Sequence, residues 1–355
     1  MEETVNESDS QTTEVLEPQI IVDSSIESDH KKPEQADKLA GTWSKHIAKS
    51  PAVKRFFEET LKSFQRVGLG YNIVDMFKVL GVAILRSVPW TIRKNSSTLN
   101  KEIRKILERL WKNTVVEIDG IKYTLLDAES FRIISYEFES FMSTWLQLKT
   151  GDVLVDIGAH IGKYALTAAK VVGNEGLVVA IEPHPLNYQT LQRNIRLNKL
   201  VNMVALNITA WNMDCELTLF AGDTAGHHSA KMNRELGWVK VKAMAIDNAL
   251  KDLRLARVDF IKIDVEGAEC EVLCGLEETV KKYKPKILIE VFHENIDEIK
   301  AIMKKSKYGL IRISPYFEEN SYFLCIPLYH KSEYTPVVTS HSLNQHIIGI
   351  DASIV

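Results

Sequence analysis

The stretch GDVLVDIGAHIGKYA, residues 151–165, decides the fold class of this chain. It begins with a short apolar run that ends at Asp156, and after Gly158 and Gly162 it continues as a helical pattern. A strand that leads through a short turn into a helix is the first half of a strand–helix–strand unit, in which helices cover a parallel sheet. Ligands of such sheets bind at the carboxyl ends of the strands. The turn behind Asp156 is therefore a predicted ligand site.

The rest of the chain repeats this alternation of short apolar runs and helical patterns. Such alternation predicts a doubly wound, Rossmann-like α/β domain with a mostly parallel sheet and right-handed crossovers. The apolar runs are VLVDIG, LVVAIEP, MVALNIT, VDFIKIDVEG, KILIEVF, GLIRIS and YFLCIPL.

The spacing of the turn argues against a nucleotide pyrophosphate as its ligand. Asp-x-Gly-x-x-x-Gly differs from the G-x-G-x-x-G of dinucleotide folds and from the phosphate-binding G-x-x-x-x-G-K-[ST]. The free N–H groups of the following helix favour a negative group, whereas Asp156 favours an ammonium. The turn therefore suits both ends of an amino acid, such as methionine.

A second acid, Glu182, ends the next apolar run in AIEP. An acid at this place can accept two hydrogen bonds from a ribose diol, as in dinucleotide folds. An amino acid together with a ribose describes S-adenosylmethionine, which is the predicted cofactor. The alternative is a surface glutamate that caps the following helical segment, PLNYQTLQRNIRLN.

The bulk composition is that of a globular protein without a general basic surface. A hydrophobic content of 45% allows a packed core. A net charge of −3 and a pI near 6.4 do not favour broad capture of nucleic acid or anionic lipid. Because no signal-peptide pattern is present, a cytoplasmic location with free thiols is predicted for the four cysteines, Cys215, Cys270, Cys274 and Cys325.

Residues 1–113 are predicted to form two regions. Residues 1–40 are acidic and polar and predict a disordered tail, whereas residues 41–113 have helical periodicity. Within them, the helix at 71–94 is the most apolar stretch, but Asp75 and Lys78 interrupt it. It is therefore expected to pack against the main domain or to lie on a membrane surface, and not to span a bilayer.

The α/β domain is predicted over residues 114–335, followed by a C-terminal extension at 336–355. Its first segment, VVEIDGIKYTLL, alternates apolar and polar residues around Asp119-Gly120, which predicts a β-hairpin with a two-residue turn. A helix from about Ser130 to Leu148 is expected to follow.

An insertion between Asp214 and Asp247 breaks the strand–helix alternation. It contains two β-like runs, ELTLF and WVKVKAMAI, on either side of a polar loop. Loops on a rigid sheet commonly carry specificity elements. The predicted substrate contacts in this loop are His227, His228 and Ser229.

Together these motifs resemble the FkbM type of class I S-adenosylmethionine-dependent methyltransferases. The resemblance runs from Tyr136-Glu137 through GDVLVDIGAHIGKYA, VVAIEPHPLNYQTLQRNIRLN, NITAWN and FIKIDVEGAECEVLCGL to KILIEVFHE, and its most specific string is DVEGAE at 264–269. It implies a seven-stranded sheet whose last strand, YFLCIPL, is antiparallel.

The resemblance also implies a role for each matching residue at the cofactor. The methionine part is expected to contact Asp156, Gly158, His160 and Gly162, the ribose Glu182, and the sulfonium Asp264. The residues expected to border the adenine are Thr209, Ala210 and Trp211.

Methyl transfer from a sulfonium needs an in-line approach of the acceptor more than it needs catalytic side chains, but an alcohol acceptor must also lose a proton. The candidate catalytic residues are Asp264, Glu266 and His293. His293 is the natural base because histidine titrates near neutrality. The alternatives are that Glu266 caps a helix start and that His293 is hydrogen-bonded at a strand end, or that Asp264 contributes to a Mg²⁺ site with Glu294 and Asn295. No metal is assigned.

The sequence therefore predicts an S-adenosylmethionine-dependent methyltransferase that modifies a hydroxyl on a small-molecule, glycan or lipid-linked acceptor. Two alternatives come from other classes of protein. One is a nicotinamide-dependent oxidoreductase, which the glycine spacing disfavours. The other is a non-catalytic scaffold that binds the cofactor and docks through its acidic tail or helical region.

Overall fold

The main sheet has seven strands and the predicted doubly wound topology. The computed structural model describes residues 67–68, 74–75, 78–79, 81–82, 97–135, 139, 141–220, 237–313 and 320–328. The strand order is β12-β13-β11-β10-β4-β5-β6. These strands are β4 (Val153–Ile157), β5 (Leu177–Ile181), β6 (Met203–Leu206), β10 (Phe260–Ile263), β11 (Lys286–Phe292), β12 (Tyr308–Arg312) and β13 (Asn320–Pro327).

The last strand, β13, is antiparallel to both of its neighbours, β11 and β12, whereas the other contacts in the sheet are parallel. This arrangement confirms the predicted fold class. All residues of β4 are buried, because side chains on both faces of a parallel sheet are covered by helices. Val155 and Ile157 pack in one core cluster and Leu154 packs in the cluster on the opposite face.

Helices follow the strands in the order that the sequence predicts. They are α1 (Ser97–Trp111), α2 (Ala128–Ile134), α3 (Met142–Trp145), α4 (Lys163–Val172), α5 (Pro185–Leu197), α6 (Ile246–Lys251), α7 (Glu269–Cys274), α8 (Glu277–Tyr283) and α9 (Ile296–Lys305). The helix α4 starts directly behind the turn that follows β4, so its first N–H groups lie at the carboxyl edge of the sheet.

The predicted hairpin is formed by β2 (Val115–Ile118) and β3 (Ile121–Thr124). Asp119 and Gly120 both have positive φ, 51° and 70°, as a type I′ turn requires. Asn198 holds the hairpin against α5, since its side chain accepts from the Lys122 N–H and donates to the Lys122 carbonyl. The hairpin is thereby fixed to the main sheet through α5.

The region before the hairpin is only partly described. A two-residue strand, β1 (Val67–Gly68), pairs with β2 inside the region at 41–113 for which the sequence predicts helices. Val79 and Val82 are fully buried in a cluster with Trp111, so these described side chains of the 71–94 segment pack against the domain. Membrane contact of that segment stays a prediction. The acidic tail at 1–40 and the extension at 336–355 lie outside the described residues.

The prediction of one continuous helix from about Ser130 to Leu148 is wrong. The structure has two short helices, α2 and α3, with Glu139 between them in a left-handed conformation at φ 50°. Periodicity alone missed this break because the segment is amphipathic throughout. Glu139 instead turns its carboxylate towards the main sheet, as described below.

The insertion between Asp214 and Asp247 supplies the strands β8 (Cys215–Phe220) and β9 (Trp238–Ala245). With β7 (Thr209–Trp211), which precedes the insertion, they form a separate three-stranded sheet in the order β7-β9-β8. Its two predicted runs pair as antiparallel strands. The loop with His227, His228 and Ser229 lies outside the described residues. In the part of the chain that the structure describes, no helix has the length and apolarity needed to cross a bilayer. The four cysteines are free.

Candidate active site

The turn after β4 is pressed against the end of β10. Asp156 stands opposite Lys262 of β10 and Ala180 of β5, and it is 0% exposed. Gly158 has a φ of 81°, and a Cβ atom there would lie 1.8 Å from the Asp264 carbonyl oxygen. A side chain at this position is sterically excluded. The glycine thus allows the turn to contact the loop that follows β10 and starts with Asp264.

Gly162 has a related but different role. A Cβ atom on it would lie 2.2 Å from Leu166 and 2.8 Å from Leu191, which belong to α4 and α5. Its φ of 102° also requires glycine. The predicted contact of both glycines with a ligand stays a prediction, and in the structure both glycines also permit close contacts within the protein.

Glu182 directly follows β5 and connects two loops at the same edge. It is 4% exposed, and its carboxylate accepts hydrogen bonds from the backbone N–H groups of His160 (2.8 Å) and His184 (2.9 Å). Burial raises its pKa to about 7, although these hydrogen bonds oppose the shift. Glu182 is therefore a buried acid at the carboxyl edge of the sheet and not a surface cap.

A buried lysine lies beneath the turn. Lys262 is 1% exposed, and its Nζ is 3.2 Å from Asp264 Oδ2 and 3.5 Å from Asp156 Oδ1. Burial would lower the pKa of Lys262, but Asp264 and Asp156 raise it above its usual value. Burial raises the pKa of Asp156, and Lys262 opposes that shift. The two aspartates are thus joined through one ammonium.

Five more side chains extend this group towards β11 and β13. The Glu139 carboxylate accepts from the hydroxyls of Tyr164 (2.6 Å) and Tyr322 (2.8 Å). Glu290 of β11 is hydrogen-bonded to Asp264 and accepts from Asn320 at 2.8 Å. We call Lys262, Asp264, Glu290 and Glu139 the carboxylate cluster.

The ring nitrogens of His160 are buried at this edge and lack a hydrogen-bond partner in the described part of the chain. The Asp156 oxygens make no hydrogen bond of normal geometry there, but Oδ1 has the Lys262 ammonium as an ionic partner at 3.5 Å. Burial lowers the pKa of His160 to about 4, so its ring is neutral near pH 7. Buried polar groups in folded proteins are nearly always paired. These atoms therefore mark a place that suits a polar ligand.

The predicted adenine residues form the strand β7. Thr209 and Ala210 are buried, and the Thr209 hydroxyl has no hydrogen-bond partner among the described residues. Ala210 packs in the core cluster, and Trp211 is half-buried. Only Thr209 among the three thus combines burial with an unused polar atom.

The predicted catalytic residues lie in different surroundings. Asp264 is part of the carboxylate cluster, and Glu266 is half-buried in the same loop with a φ of 54°. His293 is exposed in a 3-10 turn, His293–Asn295, after β11. Asn295 donates to the buried Glu269 carboxylate at 2.6 Å, which fixes this turn to the loop after β10. Within the described ranges, no group of three or more metal-ligating side chains is arranged to hold a metal ion.

Two family models match the chain, and both describe methyltransferases. Residues 156–318 match the model described as Methyltransferase FkbM domain. This segment, a little under half of the chain, is therefore similar to the FkbM methyltransferase domain, and we call it the FkbM domain. Residues 94–214 also match the model for protein-L-isoaspartate(D-aspartate) O-methyltransferase.

Curated relatives of the FkbM domain carry methyltransferase names. Methyltransferase 1 of Beauveria bassiana is 30% identical over 146 residues, covering 35% of this chain and 58% of that protein. Methyltransferase sdnD of Sordaria araneosa is 24% identical and covers 56% and 90%. Hexuronic acid methyltransferase AglP of Haloferax volcanii is 23% identical and covers 44% and 63%. The chain thus spans little more than half the length of the first of these relatives.

A solved structure, methyltransferase FkbM from Methylobacillus flagellatus, is 18% identical and covers 77% of this chain and 60% of that chain, with a TM-score of 0.38.

S-adenosylmethionine is the cofactor of the FkbM domain. The residues present fit it, because the His160 ring nitrogens are buried without a hydrogen-bond partner among the described residues, in the turn whose His160 N–H binds Glu182. The acidic side chains also suit its ammonium and sulfonium charges.

Sequence reasoning missed Lys262 and Glu290 of the FkbM domain, and Glu139 that precedes it. Lys262 and Glu290 lie within the apolar runs FIKI and KILIEVF. A charged residue inside a strand that is buried on both faces needs a partner, which is the signal that could have identified both. No such pattern identifies Glu139, because the sequence around it predicts a helix.

Proposed function

We propose that the protein transfers the methyl group of S-adenosylmethionine to a hydroxyl group on a small-molecule, glycan or lipid-linked acceptor. The observation that carries this proposal is the convergence of two buried acids on one turn. Asp156 and Glu182 end neighbouring strands, and the His160 N–H from the turn after Asp156 binds the Glu182 carboxylate at 2.8 Å. This arrangement supports a site in which a single adenosyl ligand contacts both acids.

The residues at the edge divide the cofactor between them. Asp156, His160 and the first N–H groups of α4 hold the amino-acid head, with Gly158 and Gly162 shaping the turn. Glu182 binds the ribose, since a carboxylate has about four acceptor sites and backbone N–H groups use only part of them. The residues that border the adenine are Thr209, Ala210 and Trp211.

Bound S-adenosylmethionine supplies an electrophilic methyl group with a good leaving group. The chain contributes alignment and exclusion of water, which supply most of the rate of such a displacement. Asp264 is the residue best placed to accept the proton of the acceptor hydroxyl, because it ends β10 beside the turn and is held by Lys262. His293 is exposed, and it and Glu266 serve as secondary candidates.

The acceptor is proposed to be sugar-like or another hydroxylated molecule. The name of the Haloferax volcanii relative gives hexuronic acid as its acceptor, which supports a sugar here. The antiparallel β8–β9 pair carries the loop with His227, His228 and Ser229, and these residues are proposed to contact the acceptor.

The test is a labelling experiment with the purified full chain and methyl-labelled S-adenosylmethionine. The acceptors are a panel of neutral pyranosides, hexuronic acids and hydroxylated lipids, and isothermal titration measures cofactor binding separately. Label in a base-stable ether product supports O-methylation. Tight cofactor binding without any labelled product favours a scaffold, and binding of NADH without binding of S-adenosylmethionine favours an oxidoreductase.

A further inference from the structure

Two carboxyl groups of the carboxylate cluster are in direct contact. In the parallel pairing of β10 with β11, Ile263 stands opposite Ile289, so the next position places Asp264 beside Glu290. Their side chains are hydrogen-bonded to each other. A hydrogen bond between two carboxyl groups needs a proton on one of them, because an ionised carboxylate only accepts.

The surroundings decide which of the two carries the proton. Asp264 has the Lys262 ammonium at 3.2 Å, and Lys262 is shared with Asp156. Glu290 has no ion pair with a lysine or arginine in the described part of the chain, and it accepts a hydrogen bond from the neutral amide of Asn320. The nearby cation therefore favours an ionised Asp264 and a protonated Glu290.

The groups that face Glu290 from the other elements add negative charge or none. Glu139 lies across from it between α2 and α3, and Tyr322 stands opposite it on β13. The pKa of Glu290 lies well above its usual range, first because of burial and then because of Asp264. Burial would raise the pKa of Asp264, but Lys262 and the hydrogen bond from Glu290 lower it.

We infer that Glu290 is a positioning residue. Its protonated carboxyl group donates a hydrogen bond to Asp264, and this hydrogen bond holds Asp264 in place as the base of methyl transfer. This inference rests on the proposed function. In the step, the acceptor O–H bond breaks and its proton goes to Asp264. The acceptor oxygen forms the new bond to the methyl carbon, and the S–CH₃ bond breaks with its electron pair left on sulfur. The proton then passes from Asp264 to water, and Glu290 keeps its own.

The proton on Glu290 is measurable without knowing the acceptor. Full-length protein labelled with ¹³C at glutamate carboxyls is titrated by NMR, together with the variants Glu290→Gln, Asp264→Asn and Glu298→Gln. Glu298 is an exposed acid on α9 and serves as the matched control. The signal that Glu290→Gln lacks, and that the control keeps, belongs to Glu290.

That signal should titrate well above the ordinary glutamate value of about 4.3. In Asp264→Asn it should move down by about one to three pH units, because the neighbouring negative charge is gone. A Glu290 signal in the ordinary range, or one that Asp264→Asn leaves in place, overturns the inference. A merely structural role for Glu290 predicts no such dependence on Asp264.

The cofactor supplies the second arm of the test. S-adenosylmethionine is positively charged at sulfur and S-adenosylhomocysteine is neutral, so saturation with the former should lower the Glu290 midpoint relative to the latter. Equal midpoints with both ligands bound would place the sulfonium away from Asp264 and overturn its role as base. If titration calorimetry shows that neither ligand binds, the proposed function is refuted, and with it the role of Asp264 as base. The NMR titration of the ligand-free protein tests separately whether Glu290 carries a proton.

Discussion

Replacing Lys262 with methionine tests the electrostatic centre of the site. The change removes a cation that is 1% exposed and lies 3.2 Å from Asp264 and 3.5 Å from Asp156, while it keeps most of the apolar stem. At an effective dielectric constant of about 20, each contact is worth about 5 kcal/mol before desolvation is subtracted. Breaking a buried ion pair by removing one partner typically costs about 3 to 5 kcal/mol. We expect Lys262→Met to lower the free energy of unfolding by that amount at pH 7.

The loss should depend on pH in a defined direction. The pKa of Asp264 is lowered in the folded protein, so its contribution is present above the ordinary aspartate range and is lost as the pH falls through the folded value. The pKa of Lys262 is raised, so its contribution is present below about 10.4 and is lost as the pH rises through the folded value. In Lys262→Met the carboxylates of Asp156 and Asp264 have lost their cation, and at acidic pH they can bind protons and become neutral. The difference between variant and wild type should therefore be full near pH 7 and smaller near pH 4.

The assay is urea unfolding at both pH values, with Lys281→Met as the control. Lys281 is an exposed lysine on α8, so its replacement should change stability by less than about 0.5 kcal/mol. The double variant Lys262→Met with Asp156→Asn should recover part of the loss, because it removes one unpaired buried charge. A loss below about 1 kcal/mol in Lys262→Met, or a loss that does not vary with pH, would refute the reasoning.

Three further changes have expected outcomes that are simple to measure. Glu182→Ala removes the proposed diol contact and should weaken S-adenosylmethionine binding in calorimetry by about 1.5 to 3 kcal/mol; unchanged affinity would show that Glu182 does not touch the ribose. Asn194→Ala leaves the Thr124 N–H and the Ile161 carbonyl unpaired, which should cost about 2 to 4 kcal/mol of unfolding free energy; a near-neutral result would mean that water replaces the side chain. Deleting residues 1–38 should leave the melting temperature nearly unaltered, whereas a fall of many degrees would show that this segment is folded.

The parts of the fold that the sequence predicts are those with local rules. Asp119-Gly120 predicts the hairpin because few residue pairs adopt positive φ at both positions of the turn. The strands β4 and β5 are predictable because a parallel strand covered on both faces consists almost entirely of apolar residues. The burial of Glu182 at the carboxyl edge is predictable because an acid directly after such a strand lies where ligands of these sheets bind, and its contact with the ribose stays a proposal.

The parts that the sequence does not predict depend on contacts between distant segments. Lys262 meets Asp156 only because β10 pairs with β4 in one register, and no local pattern specifies that register. Glu290 and Asp264 become neighbours in the same way through β11. Glu139 lies where a continuous helix is expected, and its two tyrosine partners are on α4 and β13.

The glycines of the first turn show a further limit of sequence reasoning. The motif predicts that Gly158 gives a ligand access to the backbone, because glycine permits close approach. In the structure the close approach is that of the Asp264 carbonyl, at 1.8 Å from where a Cβ atom would be. The same residue type satisfies both requirements, so the motif by itself does not reveal that Gly158 is also required for internal packing.

The central claim is that one pocket at the carboxyl edge holds the amino-acid head and the ribose of S-adenosylmethionine together. Its most direct measurement is a crystal structure of the full chain with S-adenosylhomocysteine. We predict ribose hydroxyls at about 2.6 to 3.2 Å from the Glu182 carboxylate and the amino-acid head within the turn from Asp156 to Gly162. An adenosyl group bound elsewhere, or a ribose that does not contact Glu182, would contradict the account.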